Sequence, residues 1–157
     1  MGGGGDARRP AHQSGGGSLD QLVKVWSVAT KSLVSTCAGN NCTVWAVAAM
    51  PDGQRILSGS NDHTVRVWLL NGTLVNTFEL HTKCVSALVA LPDNQHALSA
   101  SWDKTVKLFN VDDGAVLRTF KQHTREVYCL ALLPDGLRFV SGSEDKTARI
   151  AYHGLAP

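Results

Sequence analysis

Ser60-Asn61-Asp62-His63-Thr64-Val65-Arg66-Val67-Trp68 recurs 41 residues later as Ser101-Trp102-Asp103-Lys104-Thr105-Val106-Lys107-Leu108-Phe109. The same register extends in both directions. Asp20, Asp62, Asp103 and Asp145 are spaced by 42, 41 and 42 residues, and Trp26, Trp68, Phe109 and Ala151 each follow by six. A period of this length marks stacked supersecondary units. Pro51-Asp52-Gly53, Pro92-Asp93-Asn94 and Pro134-Asp135-Gly136 fall at matching places and read as turns, because Pro presets φ and Gly or Asn accepts a left-handed backbone. Between the turns lie short β-branched and aromatic runs: Val44 to Met50, Arg55 to Ser60, Thr64 to Trp68 and Leu74 to Phe78 in the fullest copy. The pattern predicts four short strands per unit. Runs such as Ala87-Leu88-Val89-Ala90-Leu91 are apolar on both faces, which suits a small sheet sandwiched between copies of itself.

The two nine-residue stretches, with His81 and His123 preceding the later anchors, resemble the signature of WD-repeat β-propellers. The resemblance runs over residues 18–153, with units anchored at Asp20, Asp62, Asp103 and Asp145. It implies an all-β chain of about three to three and a half blades: two complete blades, one lacking its last strand, and the trailing two strands of another. That makes thirteen strands, too few to close a ring. The expected end faces are apolar and uncovered. Truncation of a longer propeller, completion by another chain, self-association and an open arc all fit this reading, and two copies would supply twenty-six strands. Residues 1–17 read as a flexible, glycine-rich leader, and residues 154–157 as a tail.

His81, Asp103 and Ser99, repeated as His123, Asp145 and Ser141, have the composition of a catalytic triad. An active site is one constellation in one cleft, and this one recurs with the period. The resemblance implies a structural hydrogen-bond network instead, joined in the preceding unit by Ser58, Asp62 and Trp68. Which serine of each pair takes part, Ser99 or Ser101 for example, stays open. Three departures stand out: Asn40 at a histidine position, Phe109 at a tryptophan position, and Ala151 at the last one. From Tyr152 the sequence no longer follows the repeat.

The resemblance also implies a docking face formed by the loops between outermost and innermost strands. Two positions per unit point to partners there. One set is Trp45, Ser86 and Tyr128, and the other is Asn61, Trp102 and Glu144. Three of the six are large aromatics in a chain that is 6% aromatic, and large aromatics at a rim are characteristic interface anchors. Lys83, Arg125 and Glu126 give the rim mixed charge, which favours a protein or peptide.

Composition narrows the remaining classes. A net charge of +2 spread over 15 basic and 13 acidic residues offers no concentrated field for nucleic acid. Lys24, Arg66, Lys107 and Arg149 recur at one place in successive units, with heads expected at a blade edge rather than in a basic stripe. Cys37, Cys42, Cys84 and Cys129 form no CxxC pair, so neither a zinc site nor a disulfide framework is expected, and the cytoplasm or nucleus is the expected location. Gly3 to Gly5 and Gly15 to Gly17 lack the Lys-Ser or Lys-Thr of a phosphate loop. Asp6 stands where a myristoylation motif has Ser or Thr. The expectation is a soluble, non-catalytic interaction scaffold without cofactor, metal or membrane anchor. Its competitors are a fragment with no independent function and, further off, an enzyme.

Overall fold

The computed structural model describes residues 19–155, so the leader lies outside the described residues. Thirteen strands and no helix make up that span. They form four antiparallel meanders. A leading pair consists of β1 (Val23–Ser27) and β2 (Ser32–Cys37). The first full sheet holds β3 (Val44–Ala49), β4 (Arg55–Ser60), β5 (Val65–Leu69) and β6 (Leu74–Phe78). The second holds β7 (Val85–Ala90), β8 (His96–Ser101), β9 (Val106–Asn110) and β10 (Val116–Phe120). The last has β11 (Val127–Leu132), β12 (Arg138–Ser143) and β13 (Ala148–Tyr152). The strand count and its division match the sequence reading.

Stacking in chain order explains why the strands are apolar on both faces. The innermost strands β3, β7 and β11 lie side by side. Strand alternation then sends opposite residues of each sheet into different interfaces. In the first full sheet Ile56 and Trp68 pair and pack toward the leading pair with Val23 and Cys37. Their neighbours Leu57 and Val67 pair and pack toward the second sheet, against Val85, Ala97 and Phe109. The second sheet repeats the division. Leu98, Ala100 and Leu108 meet Val127, Phe139 and Ala151 of the last sheet. Phe109 replaces the tryptophan without loss of burial, and a side chain of this size contributes about 2–3 kcal/mol there.

Two turns recur in every full unit. At Gly53, Asn94 and Gly136 φ is 65°, 59° and 67°, and the carboxylates of Asp52, Asp93 and Asp135 each accept two following backbone N–H groups. The residue after each anchoring aspartate is also left-handed: Gln21, His63, Lys104 and Lys146 have φ between 65° and 75°. These four are held there although they carry a Cβ, because the aspartate fixes the turn. The C-terminal segment departs from the sequence reading. His153 is buried and its N–H donates to Leu137 O at 3.2 Å, as Val111 N–H donates to Gln95 O at 2.8 Å in the previous unit. The repeat thus continues in the backbone through His153, and Leu155 packs on the core between the last two sheets.

Candidate functional site

The anchoring aspartates are the centres of a buried polar network. Asp103 accepts from His81 Nδ1 at 2.8 Å, Thr82 N at 3.2 Å, Thr105 N at 3.0 Å and Thr105 Oγ1 at 2.6 Å. His81 Nε2 accepts in turn from Ser99 Oγ at 2.8 Å. Asp145, His123, Thr124, Thr147 and Ser141 repeat the arrangement one unit later. The first serine of each pair therefore meets the histidine. The second, Ser101 or Ser143, accepts from the aspartate's own N–H and donates to the carbonyl of Lys83 or Arg125.

These distances are those of a catalytic triad, but Ser99 has 0% exposure. No substrate reaches it, and its hydroxyl closes a structural bond. Burial opposes the charge on Asp103, yet the hydrogen bonds from His81 and Thr105 outweigh it and hold the carboxyl well below the usual range. On Asp145 the Thr147 bond is the leading cause of a similar depression. Burial and then the Asp62 charge push the Cys84 thiol up to about 12, which keeps it protonated at neutral pH. Among the described residues no group of three or more His, Cys, Asp or Glu side chains could hold a metal.

The unit with Asn40 solves the same problem differently. Asn40 is too short to bridge to Asp62, and Arg66 enters from β5. Its Nη1 lies 2.8 Å from Asp62 Oδ2, 2.8 Å from Thr64 Oγ1 and 3.3 Å from Asn40 Oδ1. Ser58 donates to Asn40 Oδ1 at 3.2 Å and accepts from the Trp68 indole at 2.8 Å. This corrects the expectation that the recurring basic heads sit at a blade edge: Arg66 is buried, and Lys107 Nζ donates to Leu80 O at 2.6 Å. Lys24 pairs with Asp20 at 3.1 Å, while Arg149 is exposed.

The rim is built by β-bulges that the sequence did not reveal. Pairing skips one residue between Val44 and Ala46, between Val85 and Ala87, and between Val127 and Cys129. The skipped residues are Trp45, Ser86 and Tyr128. A bulge re-aims its side chain out of the ladder, so each innermost strand delivers one side chain toward the rim. Trp102 arrives from the β8–β9 turn, held by its N–H to Cys84 O at 3.1 Å. Its ring lies 5.4 Å from Trp45, inclined at 59°, and 6.2 Å from Tyr128, edge-on at 82°. The three aromatics form one cluster. Trp45 and Tyr128 remain 42% and 48% exposed, while the Trp102 indole N–H is buried with no partner among the described residues.

Ser86 is the small residue between the two aromatic strands. Its hydroxyl donates to Val127 O at 2.5 Å, so it ties β7 to β11. A cleft of about 160 Å³ runs there, walled by Trp45 and Tyr128 and floored by Ser86, Ala87 and Leu88. Glu144 sits beside this group, 3.5 Å from Arg125, and Lys83 is 3.7 Å from Glu126. Burial, then the carboxylates of Glu144 and Glu126, push the Tyr128 phenol up. Asn61 is exposed, its N–H donating to Thr43 O at 2.9 Å.

Comparison with known proteins bears on the fold. A family model described as WD domain, G-beta repeat, matches residues 31–68, 72–110 and 114–150. Among curated relatives, Protein FIZZY-RELATED 2 of Arabidopsis thaliana is 40% identical over 53 residues, covering 34% of this chain and 11% of that protein. Small ribosomal subunit protein RACK1y of Oryza sativa subsp. japonica is 36% identical over 73 residues, covering 43% and 22% respectively. The solved WD40 β-propeller domain of Doa1 is 36% identical with a TM-score of 0.81, over 87% of this chain and 45% of that one. The chain spans less than a quarter of the length of these two curated relatives and under half of the solved domain.

Proposed function

The chain belongs to the WD40 repeat family, and from that premise we propose that it is a non-catalytic interaction module whose rim aromatics seat a peptide segment of a protein partner. The observation that carries this reading is the joint exposure of Trp45 and Tyr128 around a cleft whose floor is the small Ser86. Rigid aromatic side chains offer large apolar area at low entropic cost, and a flanking rim of paired charges sets orientation more than affinity. The buried polar groups of the network are spent on one another and are not available to a partner. The unpaired indole N–H of Trp102 gives a partner carbonyl something to satisfy if the ring turns toward it. Asn61 and Glu144 flank the aromatic cluster as polar contacts. Opposite charges alternate at the rim in the Lys83–Glu126 and Arg125–Glu144 pairs, which suits a protein surface better than a polyphosphate backbone. The four free cysteines suit a reducing compartment, cytoplasm or nucleus.

Affinity capture with mass spectrometry, using the parent chain beside a Trp45→Ala/Trp102→Ala/Tyr128→Ala variant, tests the reading. Specific partners should be lost from the variant's list while its circular dichroism stays that of a β protein. Identical partner lists from the two baits would rule out the rim as the binding site.

A further inference from the structure

Four residues after each anchoring aspartate stands a cation, and its partner depends on what else holds the aspartate. In the Asn40 unit Arg66 Nη1 lies 2.8 Å from Asp62 Oδ2. In the His81 unit that place is taken: His81 Nδ1 lies 2.8 Å from Asp103 Oδ2, and Thr82 N–H donates to the same oxygen at 3.2 Å. The corresponding cation, Lys107, turns instead to Leu80 O at 2.6 Å. A carbonyl accepts one N–H of an ammonium that carries three, and it supplies no full negative charge. Lys107 is a part-buried cation without a carboxylate partner among the described residues.

Lys107 lines a cavity of about 600 Å³, together with Lys104 of the β8–β9 turn and Lys121, which directly follows β10. Neither of these two forms an ion pair among the described residues. Thr82 and Thr119 line the same space. The carboxylate in the lining is that of Asp103, whose oxygens already accept four donors. Acids on the adjoining loops are engaged elsewhere, Glu126 3.7 Å from Lys83 and Glu144 3.5 Å from Arg125. Three ammoniums and one carboxylate leave an excess of two positive charges around the cavity. The repeat does not demand this set. In the preceding unit His63 and Glu79 stand at the places of Lys104 and Lys121, and the sheet is the same four-stranded meander.

We propose that this cavity binds a phosphomonoester dianion, carried on a phosphorylated serine or threonine of a peptide. The charge matches, since such a group carries about −1.5 to −2 at neutral pH and presents three strong acceptor oxygens. Each oxygen takes one lysine ammonium, and the threonine hydroxyls of the lining supply further donors. A carboxylate brings less charge and only two oxygens to the three cations. A phosphodiester backbone brings one charge per group, and the neighbouring Lys83–Glu126 and Arg125–Glu144 pairs extend no basic track along which it could run. The cavity is far larger than a free phosphate ion, which leaves room for the side chain that bears the group. The site lies apart from the cleft between Trp45 and Tyr128 and shares no lining residue with it, so it stands independently of the rim reading.

The test is an NMR titration of the full chain at constant ionic strength, following lysine side-chain and threonine methyl signals. Capped phosphothreonine is the probe, with capped glutamate, capped threonine and inorganic phosphate as comparison ligands. Phosphothreonine should shift Lys104, Lys107, Lys121, Thr82 and Thr119 together and bind about tenfold tighter than glutamate or inorganic phosphate. Lys121→Glu, which installs at an exposed position the residue of the preceding unit, should weaken binding about tenfold or more with the melting temperature unchanged. Trp45→Ala/Tyr128→Ala should leave the affinity for phosphothreonine unchanged, so the two readings fail separately. Glutamate or inorganic phosphate binding as tightly as phosphothreonine, shifts spread over the other lysines, or a parental affinity in Lys121→Glu would each overturn the proposal.

Discussion

Asp103→Ala lowers stability by about 3–5 kcal/mol, because several hydrogen-bond donors lose one shared acceptor at once, each at about 1–3 kcal/mol. The reason lies in what the carboxylate holds. Two N–H groups, the His81 ring and the Thr105 hydroxyl converge on it from two loops and a strand end. Alanine removes the acceptor of three part-buried donors, the His81 ring and the Thr105 N–H and hydroxyl, while the exposed Thr82 N–H turns to water. For a domain of this size the expected drop in melting temperature is roughly 10 °C. Asp103→Asn keeps the oxygen for Thr105 but turns an N–H toward His81, so its melting falls between parent and alanine variant. The pH dependence follows with a definite sign. The folded carboxyl titrates below its unfolded value of about 3.9, so its stabilisation is complete above that pH and is lost as the pH falls further. The alanine variant should lose less stability than the parent between neutral pH and pH 3. An Asp103→Ala melt superimposable on the parent's would refute the structural reading of the network.

Gly59→Leu is the second large effect, and it acts on the stack rather than on a network. A Cβ at Gly59 lies 2.7 Å from Val85 Cγ1, 3.1 Å from its Cβ and 3.2 Å from its carbonyl oxygen. Val85 is fully buried and part of the innermost strand, so neither its short branched side chain nor its backbone can yield. Leucine must push the second sheet away from the first. The expected cost is about 3 kcal/mol or more, at the upper end for overpacking. Denaturant titration should show the midpoint falling. Ala100→Gly, at the matching place in the next sheet, provides the control, with a cost of about 1 kcal/mol. A Gly59→Leu midpoint within error of the parent would mean that the sheets are not stacked as described.

Both effects show what kind of information the sequence carries. The anchoring aspartates and their tryptophan or phenylalanine partners announce the architecture because the repeat puts the same physical demand on the same position each time. The match of Ser99 and Ser141, rather than Ser101 and Ser143, to the histidines was not legible. Both serines point to the same side of a strand, and only the depth of the histidine ring decides between them. The Arg66 substitution for a missing histidine escaped for a related reason. It depends on a side chain reaching across from β5, and the sequence marks only that Asn40 stands at a histidine position. The bulges at Trp45, Ser86 and Tyr128 left no mark either, since a skipped pairing changes geometry without changing composition. Their signal was indirect: each stands directly after the valine that opens an innermost strand. The three aromatics were legible as candidates, but their assembly into one cluster through Trp102 was not. From Tyr152 the residues no longer match the repeat, yet the backbone of His153 makes the bond that Val111 makes.

The residues that hold the molecule together are distinct from those proposed to meet a partner, and one titration tests that separation. A partner peptide obtained by capture is titrated calorimetrically against the parent, Trp45→Ala/Tyr128→Ala and Asp103→Asn, at a temperature where all three are folded. The predicted result is a loss of affinity of at least tenfold for the rim variant with its melting temperature unchanged. For Asp103→Asn the affinity is expected to stay near the parent's, and the melting temperature to fall. The reverse pattern, with affinity lost at Asp103 and kept at the rim, would contradict the account.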